Sequence, residues 1–512
     1  MKTPYVHSTT CASLTQCWLV PRNKRSGRKT PMPEPMWSGE QSRKIVERIV
    51  IEGTLVLETP AHLGGGEDDG AVMSLLVDAL DGESPLLTGA SLGGALRSYL
   101  WTVEQGYGKK QKDGQRSAAS LLFGTARDDD RDGTGDQSRL IIDDARGELT
   151  RVVYRDGVRL DERSRTAAED ALYAIELWDA GTSFPLRFEL LISEGDQRER
   201  LVSGLVTALR GLAAGEITLG SRKRRGYGRV RVDNWRTRSY AVDAIDGLMA
   251  WLREGDQPLP DAYQVEDIAT AFDDVDQIKD QRELVTLDAW FTLDGSLLIR
   301  AADDVTDMKH LTTSDGSAVL SGTSIAGALR ARAAKIINTL TQDDGHSANI
   351  VNSVFGSPHD QRENRTASRL IVEERMIEGG VFGFVQSRVS IDRFTGGALD
   401  TALFNQQPLF GSAKKGVHLR IQLRKNPKKD VEPEVGLLLL LLKDLWTGDL
   451  TLGGERSVGR GRLHGERAEL TYQGNKWTIT ANDAELTIEP EVESLNTCLE
   501  SLLQELGVHH EA

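Results

Sequence analysis

Residues 45–58 (IVERIVIEGTLVLE) alternate between apolar and polar side chains, which predicts a long β-strand with one buried face. The pattern after this strand predicts further regular elements: a helix at 91–105 with Ser91 as its N-cap, strands at 139–144 and 185–192, and a helix at 196–213 that ends at Gly215. Strands and helices in this order indicate an α+β domain in which helices cover one face of an antiparallel sheet.

The same series of elements returns in the second half of the chain. SLGGALR at 91–97 becomes SIAGALR at 324–330, and RLIIDD at 139–144 becomes RLIVEE at 369–374. Further pairs keep nearly the same spacing: LLFG at 121–124 with SVFG at 353–356, 159–173 with 390–404, Gly215 with Gly448, and Leu219 with Leu452. One long period indicates two tandem domains rather than a solenoid of short repeats.

The duplication suggests four segments. Residues 1–42 are polar, rich in Pro and Arg, and lack the apolar core of a signal peptide, so we expect a disordered tail, or a true start at Met36. The first domain covers 43–240, and the acidic segment 241–283 is predicted to be a linker or a partly ordered docking segment. The second domain covers 284–512 and ends in strands at 468–488 and a helix at 490–506.

Composition narrows the function classes. The chain has 512 residues with 39% hydrophobic and 27% charged residues, and its longest apolar run is too short to cross a membrane. Three cysteines are too few for a disulfide framework, which fits a reducing, cytoplasmic compartment. The net charge of −15 argues at first against a nucleic-acid partner, but such binding depends on local clusters of cations.

Two glycine-rich loops carry such clusters. The first, LGSRKRRGYGRVRV at 219–232, contains Arg222, Lys223, Arg224, Arg225, Gly226, Gly228 and Arg229. The second, LGGERSVGRGRL at 452–463, contains Gly453, Gly454, Arg456, Gly459 and Arg460. Glycine lets backbone N–H groups approach a ligand, and arginine matches phosphate geometry, so both loops are predicted phosphate cradles. The alternative is a solvated basic β-hairpin.

SIAGALR, the stretch VSIDRFTGGALDTALF at 389–404 and the paired loops resemble the RAMP superfamily. More narrowly, they resemble the Cas-seven-type backbone subunits of type III CRISPR effector complexes, which are antiviral ribonucleoproteins, and two such units in one chain resemble the double fusions of type III-D systems. The resemblance implies two modified ferredoxin-like (RRM-like) domains, each with a β-hairpin thumb. It also implies three kinds of partner: a CRISPR guide RNA, a target RNA, and other effector subunits.

The resemblance assigns roles to single residues. The helix motif implies guide-backbone contacts for Ser91 and Arg97 in the first half and for Ser324 and Arg330 in the second. For the serines, an N-cap with a glycine packed on the sheet is the alternative. His62 in TPAHLGGG implies RNA contact, against a structural role. Asp161 and Asp392 lie in the thumb stretches and are more simply explained as turn carboxylates.

Catalysis in the family rests on an aspartate between the first strand and the Ser–Gly–Arg helix, which here implies Asp307, seventeen residues before Ser324. Counting back equally from Ser91 gives Ser74, so we expect cleavage in the second half and RNA binding alone in the first. Asp307 would hold Mg²⁺ or another divalent cation shared with a phosphate, and the target's own 2′-hydroxyl would attack. Lys309 and His310 are close enough in sequence to serve as charge stabiliser or proton carrier, and the alternative is that both are surface residues. Asp303 and Asp304 are substitute candidates for the catalytic aspartate.

Three other functions remain open at this point. The chain could be a non-catalytic RNA-binding subunit, or a ribonuclease that processes guide RNA. The second alternative needs a histidine or tyrosine general base, and the sequence suggests no such constellation. A nucleotide-binding enzyme is disfavoured because neither a P-loop nor a dinucleotide-binding motif is present.

Overall fold

A computed structural model describes residues 43–68, 72–109, 116–125, 136–161, 166–272, 275–302, 305–341, 344–357, 365–411, 416–482, 485–490 and 492–508. The chain separates into Met1–Lys44 and Ile45–Ala512, and everything below concerns the second unit. The predicted tail at 1–42 lies outside the described residues. None of the described helices is long and apolar enough to span a membrane.

The first half alternates strands and helices. Its strands are β1 (Ile45–Leu57), β2 (Gly64–Asp68), β3 (Val72–Leu75), β4 (Leu86–Leu87), β5 (Leu140–Ile142), β6 (Ala145–Arg146), β7 (Val152–Leu160), β8 (Ala167–Trp178), β9 (Ser183–Ser193) and β10 (Val230–Ala241). Its helices are α1 (Gly89–Gln105), α2 (Ala118–Phe123) and α3 (Arg198–Ala213). The predicted strand at 45–58 and helix at 196–213 are therefore present, with small shifts at their ends.

Four antiparallel strands form the main sheet of the first half, in the order β10-β1-β9-β5. Alternate side chains of the central strand, such as Ile49, Ile51 and Leu55, are fully buried beneath α1 and α3. The helices contribute matching apolar residues at helical spacing, including Leu92, Leu96 and Leu100 on α1. Burial of these two faces against each other supplies the main stabilisation of the domain.

A second sheet of the first half has the order β2-β3-β8-β7. Within it, β7 and β8 form a long antiparallel hairpin that pairs Val152 with Trp178 at its base and Leu160 with Ala167 near its tip. Several apolar side chains of the hairpin are exposed, including Tyr154 and Leu172. The stretch 159–192, for which the sequence predicted only the strand at 185–192, is thus mostly regular sheet in its described residues.

A connector joins the halves and packs on the first. It contains α4 (Ile245–Glu254), which lies against β10. Trp251 of α4 stacks under Arg48 of the main sheet, with 4.1 Å between the guanidinium carbon and the ring centre. Further along, Ile268 is buried in the core of the first half. The described part of the predicted linker therefore covers one face of the first domain.

The second half repeats the plan. Its strands are β11 (Leu284–Asp294), β12 (Ser296–Leu297), β13 (Arg300–Ala301), β14 (Met308–His310), β15 (Val319–Leu320), β16 (Leu370–Val372), β17 (Arg375–Met376), β18 (Gln386–Ile391), β19 (Ala398–Gln407), β20 (Leu409–Phe410), β21 (Val417–Arg424), β22 (Arg462–Tyr472), β23 (Asn475–Asn482) and β24 (Glu485–Glu489). Its helices are α5 (Gly322–Thr341), α6 (Asp344–Phe355), α7 (Glu432–Trp446) and α8 (Glu493–Glu505).

The main sheet of the second half has the order β16-β21-β11-β22-β23-β24. Its first four strands correspond one by one to β5, β9, β1 and β10, and the last two extend the edge. The hairpin sheet follows the same rule, because β13-β14-β19-β18 repeats β2-β3-β8-β7. The sequence period thus corresponds to a repeat of strand order in both sheets.

Candidate nucleic-acid interface

The first glycine-rich loop folds back onto the end of β1. The Ser221 N–H donates to the His62 carbonyl over 2.9 Å, and the Gly228 N–H donates to the Pro60 carbonyl over 3.0 Å. Gly228 has φ of +70°, and a Cβ there would lie 1.8 Å from the Leu219 carbonyl oxygen, so only glycine fits. These bonds hold a single 3₁₀ turn, Lys223–Arg225, at the tip of the loop.

A cavity of about 550 Å³ opens between this loop, the end of β1 and the start of α1. Its wall includes Gly220 and Lys223 of the loop, Ser91 and Gly94 of α1, and the predicted residue His62. Residues far apart in the sequence are therefore brought together around one space. The cavity is large enough for part of a nucleotide chain and carries a lysine at its wall.

Helix α1 begins differently from the prediction. Thr88 is the N-cap, because its hydroxyl accepts the Ser91 N–H over 3.2 Å, so Ser91 is not the cap. A Cβ on Gly94 would meet nothing within 4 Å, and the same holds for Gly327 on α5. The alternative of a capping serine with a glycine packed on the sheet is therefore wrong for α1. Its exposed Ser91 and Gly94 instead leave an open helix surface at the cavity.

The predicted cations of the first loop divide into two groups. Lys223 and Arg225 are exposed, and neither has an ion pair among the described residues. Arg222 stacks on Tyr173, 4.6 Å from the ring centre, and donates to its hydroxyl over 2.8 Å. Arg224 donates to the carbonyl of Ser368 in the second half. The tip of the loop therefore contains two exposed cations without an ion pair among the described residues and two arginines that are hydrogen-bonded to other parts of the protein.

Arg229 is the clearest structural cation of the loop. Its guanidinium binds Glu58 at 2.7 Å and Glu373 of the second half at 3.1 Å. Gly226, also predicted to bind RNA, approaches the second half so closely that a Cβ would lie 2.3 Å from the backbone nitrogen of Glu374. Arg229 and Gly226 therefore lie at the interface between the two halves, where the first loop meets Glu373 and Glu374; we call this interface the seam.

His62 is buried, with 2% of its surface exposed, and its Nδ1 lies 2.8 Å from the Glu176 carbonyl. The backbone carbonyl of His62 also accepts the Ser221 N–H of the loop. The structural role that the sequence left open is therefore clear, while one edge of the ring still reaches the cavity wall. Arg97 is half-exposed on α1 and forms no ion pair within the described ranges.

The second glycine-rich loop has the same backbone. The Gly454 N–H donates to the Leu298 carbonyl over 2.8 Å, and the Gly461 N–H donates to the Ser296 carbonyl over 2.7 Å. A Cβ on Gly461 would lie 1.9 Å from the Leu452 carbonyl oxygen. Gly453 and Gly459 have φ of +75° and +86°, and a 3₁₀ turn again forms the tip at Arg456–Val458.

The charges of the second loop are arranged differently. Glu455 occupies the position of Arg222, and its carboxylate lies 3.1 Å from Arg388, 3.4 Å from Arg460 and 3.6 Å from Arg300. Arg460 was predicted to bind RNA, but its side chain is 2% exposed and donates to Gln386 over 2.6 Å. Arg460 therefore has no exposed group with which it could contact a phosphate directly. Arg456 remains exposed at the tip.

Helix α5 carries the repeated Ser and Arg. Ser324 lies in its first turn and is half-buried, and its N–H donates to the Ser321 carbonyl over 3.1 Å. Arg330 donates to the Gly356 carbonyl over 2.7 Å and to Asn352 over 2.6 Å. These bonds tie α5 to the end of α6, so Arg330 has a structural task in addition to any contact with RNA.

Asp307 lies just before β14, beside the hairpin strand β19. Its side chain is exposed, and one carboxylate oxygen accepts the Asn405 N–H over 2.7 Å. The strand pairing identifies the counterpart of Asp307 in the first half. Met308 pairs with Gln406 in the same way as Met73 pairs with Ile175. Asp307 therefore corresponds to Val72, and the predicted counterpart Ser74 is wrong. Counting from the helix failed because the loops before α1 and α5 differ in length.

The neighbours of Asp307 also differ from the prediction. His310 is fully buried, its Nδ1 accepts the Ile299 N–H over 3.2 Å, and burial lowers its pKa to about 4. It is therefore not a surface residue and is poorly suited to carry protons for Asp307. Among the described residues, no three His, Cys, Asp or Glu side chains are grouped as metal ligands. Asp303 and Asp304 lie outside the described residues.

Asp161 and Asp392 are found at the tips of the two hairpins. Asp392 accepts the Phe394 N–H over 2.8 Å and the Thr395 hydroxyl over 3.1 Å, and these bonds lower its pKa. Phe394 beside it is 98% exposed. The Asp161 N–H donates to the Thr166 carbonyl over 2.9 Å. Asp392 is thus a turn carboxylate, while the apolar tip around it is open to solvent.

Sequence reasoning missed several residues that position the first loop. Tyr173 of β8 holds Arg222, and Tyr227 is buried under Arg155, whose guanidinium lies 5.4 Å from the ring centre. Arg155 in turn binds Glu374 of the second half through two bonds of 2.5 and 2.9 Å. Tyr227 within the loop was the available signal, because the large apolar surface of a tyrosine ring favours burial against a partner.

Comparison with known proteins gives one result that covers most of the folded chain. The RAMP superfamily matches twice, at residues 54–231 and 285–464. No curated protein is detectably similar to the chain in sequence. The two matched segments coincide with the two repeated sheets, and each includes one glycine-rich loop.

Proposed function

The chain belongs to the RAMP superfamily and carries two RAMP domains, and from this premise we propose that it is a guide-RNA-binding backbone subunit of a type III CRISPR effector complex. Membership of the superfamily points to a CRISPR-associated RNA-binding protein. The type III assignment rests on the Cas-seven-like motifs, and the fusion of two domains favours a III-D-like system.

The fold supports this proposal in two ways. The order β10-β1-β9-β5 agrees with the order expected for a ferredoxin-like domain, in which the fourth, first, third and second strands lie side by side. The hairpins β7–β8 and β18–β19 stand where thumbs are expected, and both expose apolar side chains such as Leu172 and Phe394. Such side chains suit contact with bases of a nucleic acid.

One observation carries the proposal: the cavity at the first loop. It joins an exposed helix start at Ser91, an open surface at Gly94 and the cation Lys223, with Arg225 exposed beside it. A lysine at the wall and an exposed arginine beside it favour an anionic ligand such as the phosphate backbone of RNA. Recognition of backbone alone suits a guide, whose sequence is read by base pairing.

The test is RNA binding across a salt series. The double substitution Lys223→Glu/Arg225→Glu should weaken binding of single-stranded RNA regardless of its sequence. It should also reduce the slope of log affinity against log salt by about 1.4, since each phosphate contact in single strands contributes about 0.7.

The matched control is Arg253→Glu, which reverses an exposed cation of the connector and is compared with Lys223→Glu alone. Glu254, next to Arg253, pairs with Arg238 of β10, which lies eight residues beyond Val230 and roughly 26 Å along the strand at about 3.3 Å per residue, so RNA affinity should hardly change. An equal loss in both single variants would mean that net charge, not this loop, binds RNA.

We further propose that the second domain cleaves target RNA at Asp307. Its exposed carboxylate is a hard oxygen ligand, so it fits a divalent cation such as Mg²⁺ that keeps water and takes a phosphate as further ligands. When bound, the cation stabilises negative charge on the phosphate. The hairpin β18–β19 would bend the target so that a 2′-hydroxyl is aligned for attack on the adjacent phosphorus. The new bond gives a 2′,3′-cyclic phosphate, the bond to the 5′-oxygen of the next nucleotide breaks, and that oxygen leaves as a hydroxyl with the proton that the 2′-hydroxyl gives up.

Asp307→Asn tests this role without disturbing the fold, because the amide oxygen can still accept the Asn405 N–H. In the assembled complex, cleavage of guide-paired target should fall at least a hundredfold, while target binding stays the same; a loss of this size is typical of removing one charge-stabilising group. Asp256→Asn, at an exposed acid of the connector, is the control. Undiminished cleavage would favour the alternative of a non-catalytic RNA-binding subunit.

A further inference from the structure

A cluster of cations crosses the seam between the two halves. Arg224, at the tip of the first loop, donates to the carbonyl of Ser368. The next residue, Arg369, accepts the Arg424 N–H over 3.2 Å and donates to the Arg424 carbonyl over 2.8 Å. Arg224 and Arg424, from different halves, are thus held at adjacent points of one edge, and Lys223 precedes Arg224 on the loop.

The cluster has no acidic partner within the part of the chain that the structure describes. Neither Lys223, Arg224 nor Arg424 forms an ion pair there. Desolvation and the charges of Arg224 and Arg424 lower the pKa of Lys223, and desolvation and Arg424 lower the pKa of Arg224. Like charges that are close and partly desolvated repel each other, so the cluster costs folding stability unless an anion joins it.

Arg424 is half-buried and is held in place by Tyr107 of the first half. Its guanidinium lies over the ring of Tyr107, 4.8 Å from the ring centre, and also hydrogen-bonds to that residue. The ring fixes the plane of the guanidinium. An arginine held in one orientation beside other cations is suited to bind a phosphate.

We propose that Arg424, Arg224 and Lys223 form a phosphate-binding site for single-stranded RNA at the seam between the halves. This inference rests on the proposed RNA-binding function and extends it. Lys223 also lines the cavity of the first half. The site therefore continues the path of the strand from that cavity onto the second half, where Arg424 receives the next phosphate.

The site explains an asymmetry of the two loops. In the second loop, the positions of Lys223 and Arg224 are taken by Arg456 and Ser457, and Glu455 neutralises its neighbours. The positive seam is thus confined to the junction within the chain. A strand bound there would bridge the two domains and hold their loops in register.

The experiment measures RNA affinity and stability of the full chain for Arg424→Gln. Binding of fluorescently labelled single-stranded RNA should weaken about tenfold, with a salt slope lower by about 0.7 for one lost contact. The thermal midpoint without RNA should stay level or rise, because repulsion is relieved. A purely structural Arg424 gives the opposite pattern, a lower midpoint with unchanged RNA affinity, and would overturn the site.

Tyr107→Leu is the matched control. It removes the ring that supports Arg424 but no charge, so the salt slope should remain that of the wild type. A slope reduced as much as by Arg424→Gln would refute a direct phosphate contact. The loop variant Lys223→Glu/Arg225→Glu separates the two proposals: if it weakens RNA binding and Arg424→Gln does not, the seam site alone fails. If neither weakens binding, the proposed function fails as well.

Discussion

The two glycine-rich loops share one backbone and differ in their charges. Both are fixed by N–H bonds to the preceding strand end, and both need glycine where the chain touches a leucine carbonyl. In the first loop, Lys223 and Arg225 of the turn are exposed and form no ion pair with any residue that the structure describes. In the second, Glu455 lies among Arg300, Arg388 and Arg460 and cancels much of their charge.

The difference teaches that duplication preserved the backbone of the loop while the charges on it diverged. In our proposals, the first loop and its interface with the second half bind RNA. The second half carries the exposed Asp307, whose position in the first half is Val72. Binding and the proposed chemistry would thus be concentrated in different halves of one chain.

The largest expected effect concerns the ion pair that holds the first loop against the second half. Arg155 and Glu374 are 8% and 1% exposed, so Glu374→Gln leaves a buried guanidinium uncompensated. Unfolding free energy should fall by about 3–5 kcal/mol, measured by urea denaturation.

Asp144, the counterpart of Glu374 in the first half, is exposed and accepts the Gly89 N–H at the start of α1 over 2.7 Å. An asparagine oxygen can still accept that N–H, so Asp144→Asn serves as the control and should cost under about 1 kcal/mol. The double variant Arg155→Met/Glu374→Leu should recover most of the loss, because no unpaired charge remains. Equal losses from Glu374→Gln and Asp144→Asn would show that the seam is not a special feature of one half.

A second prediction addresses what the loops share. Gly228→Ala and Gly461→Ala should each lower unfolding free energy by about 3 kcal/mol, since left-handed strain of roughly 1–2 kcal/mol adds to a clash with a carbonyl oxygen. Gly459→Ala, at φ of +86° in open space, should lose only about 1 kcal/mol. A mild effect at Gly228 but not at Gly461 would break the equivalence of the two backbones.

The third prediction concerns pH. His310 is buried and neutral, with a pKa near 4 against 6.5 when unfolded, whereas the matching residue of the first half is Leu75. Below pH 6.5 the unfolded chain takes up a proton that the folded chain refuses. Unfolding free energy should therefore fall by about 2 kcal/mol between pH 7 and pH 5.

His310→Leu makes the second half resemble the first and should remove that part of the pH dependence. It also leaves the Ile299 N–H without its acceptor, which costs about 1–3 kcal/mol at every pH. The readout is urea denaturation from pH 7 to pH 5. A variant that keeps the full wild-type slope would locate the titrating group elsewhere.

The smallest expected effect is a gain of RNA binding. Glu455→Gln releases Arg388 and Arg300 from their carboxylate, so the second loop should bind single-stranded RNA a few-fold more tightly and with a steeper salt slope. Glu466→Gln removes an exposed acid of β22 and is the control. If both variants gain equally, the charge of Glu455 is not what distinguishes the loops.

The sequence by itself determined much of the framework. Alternation at 45–58 predicted β1, helical spacing predicted α1 and α3, and the period of about 230 residues predicted the repeat of both. The glycines of the two loops pointed to bent backbone, and Gly228 and Gly461 adopt it. These features depend on local spacing and on single-residue conformational freedom, which are written directly in the chain.

Only the tertiary structure decided which charges are free. Arg229 and Arg460 look like Lys223 in the sequence, but one binds Glu58 and Glu373 and the other is buried beside Glu455. The counterpart of Asp307 likewise depended on strand pairing, since counting along loops of unequal length gave the wrong residue. The fate of a charge depends on partners distant in sequence, and packing alone brings those partners together.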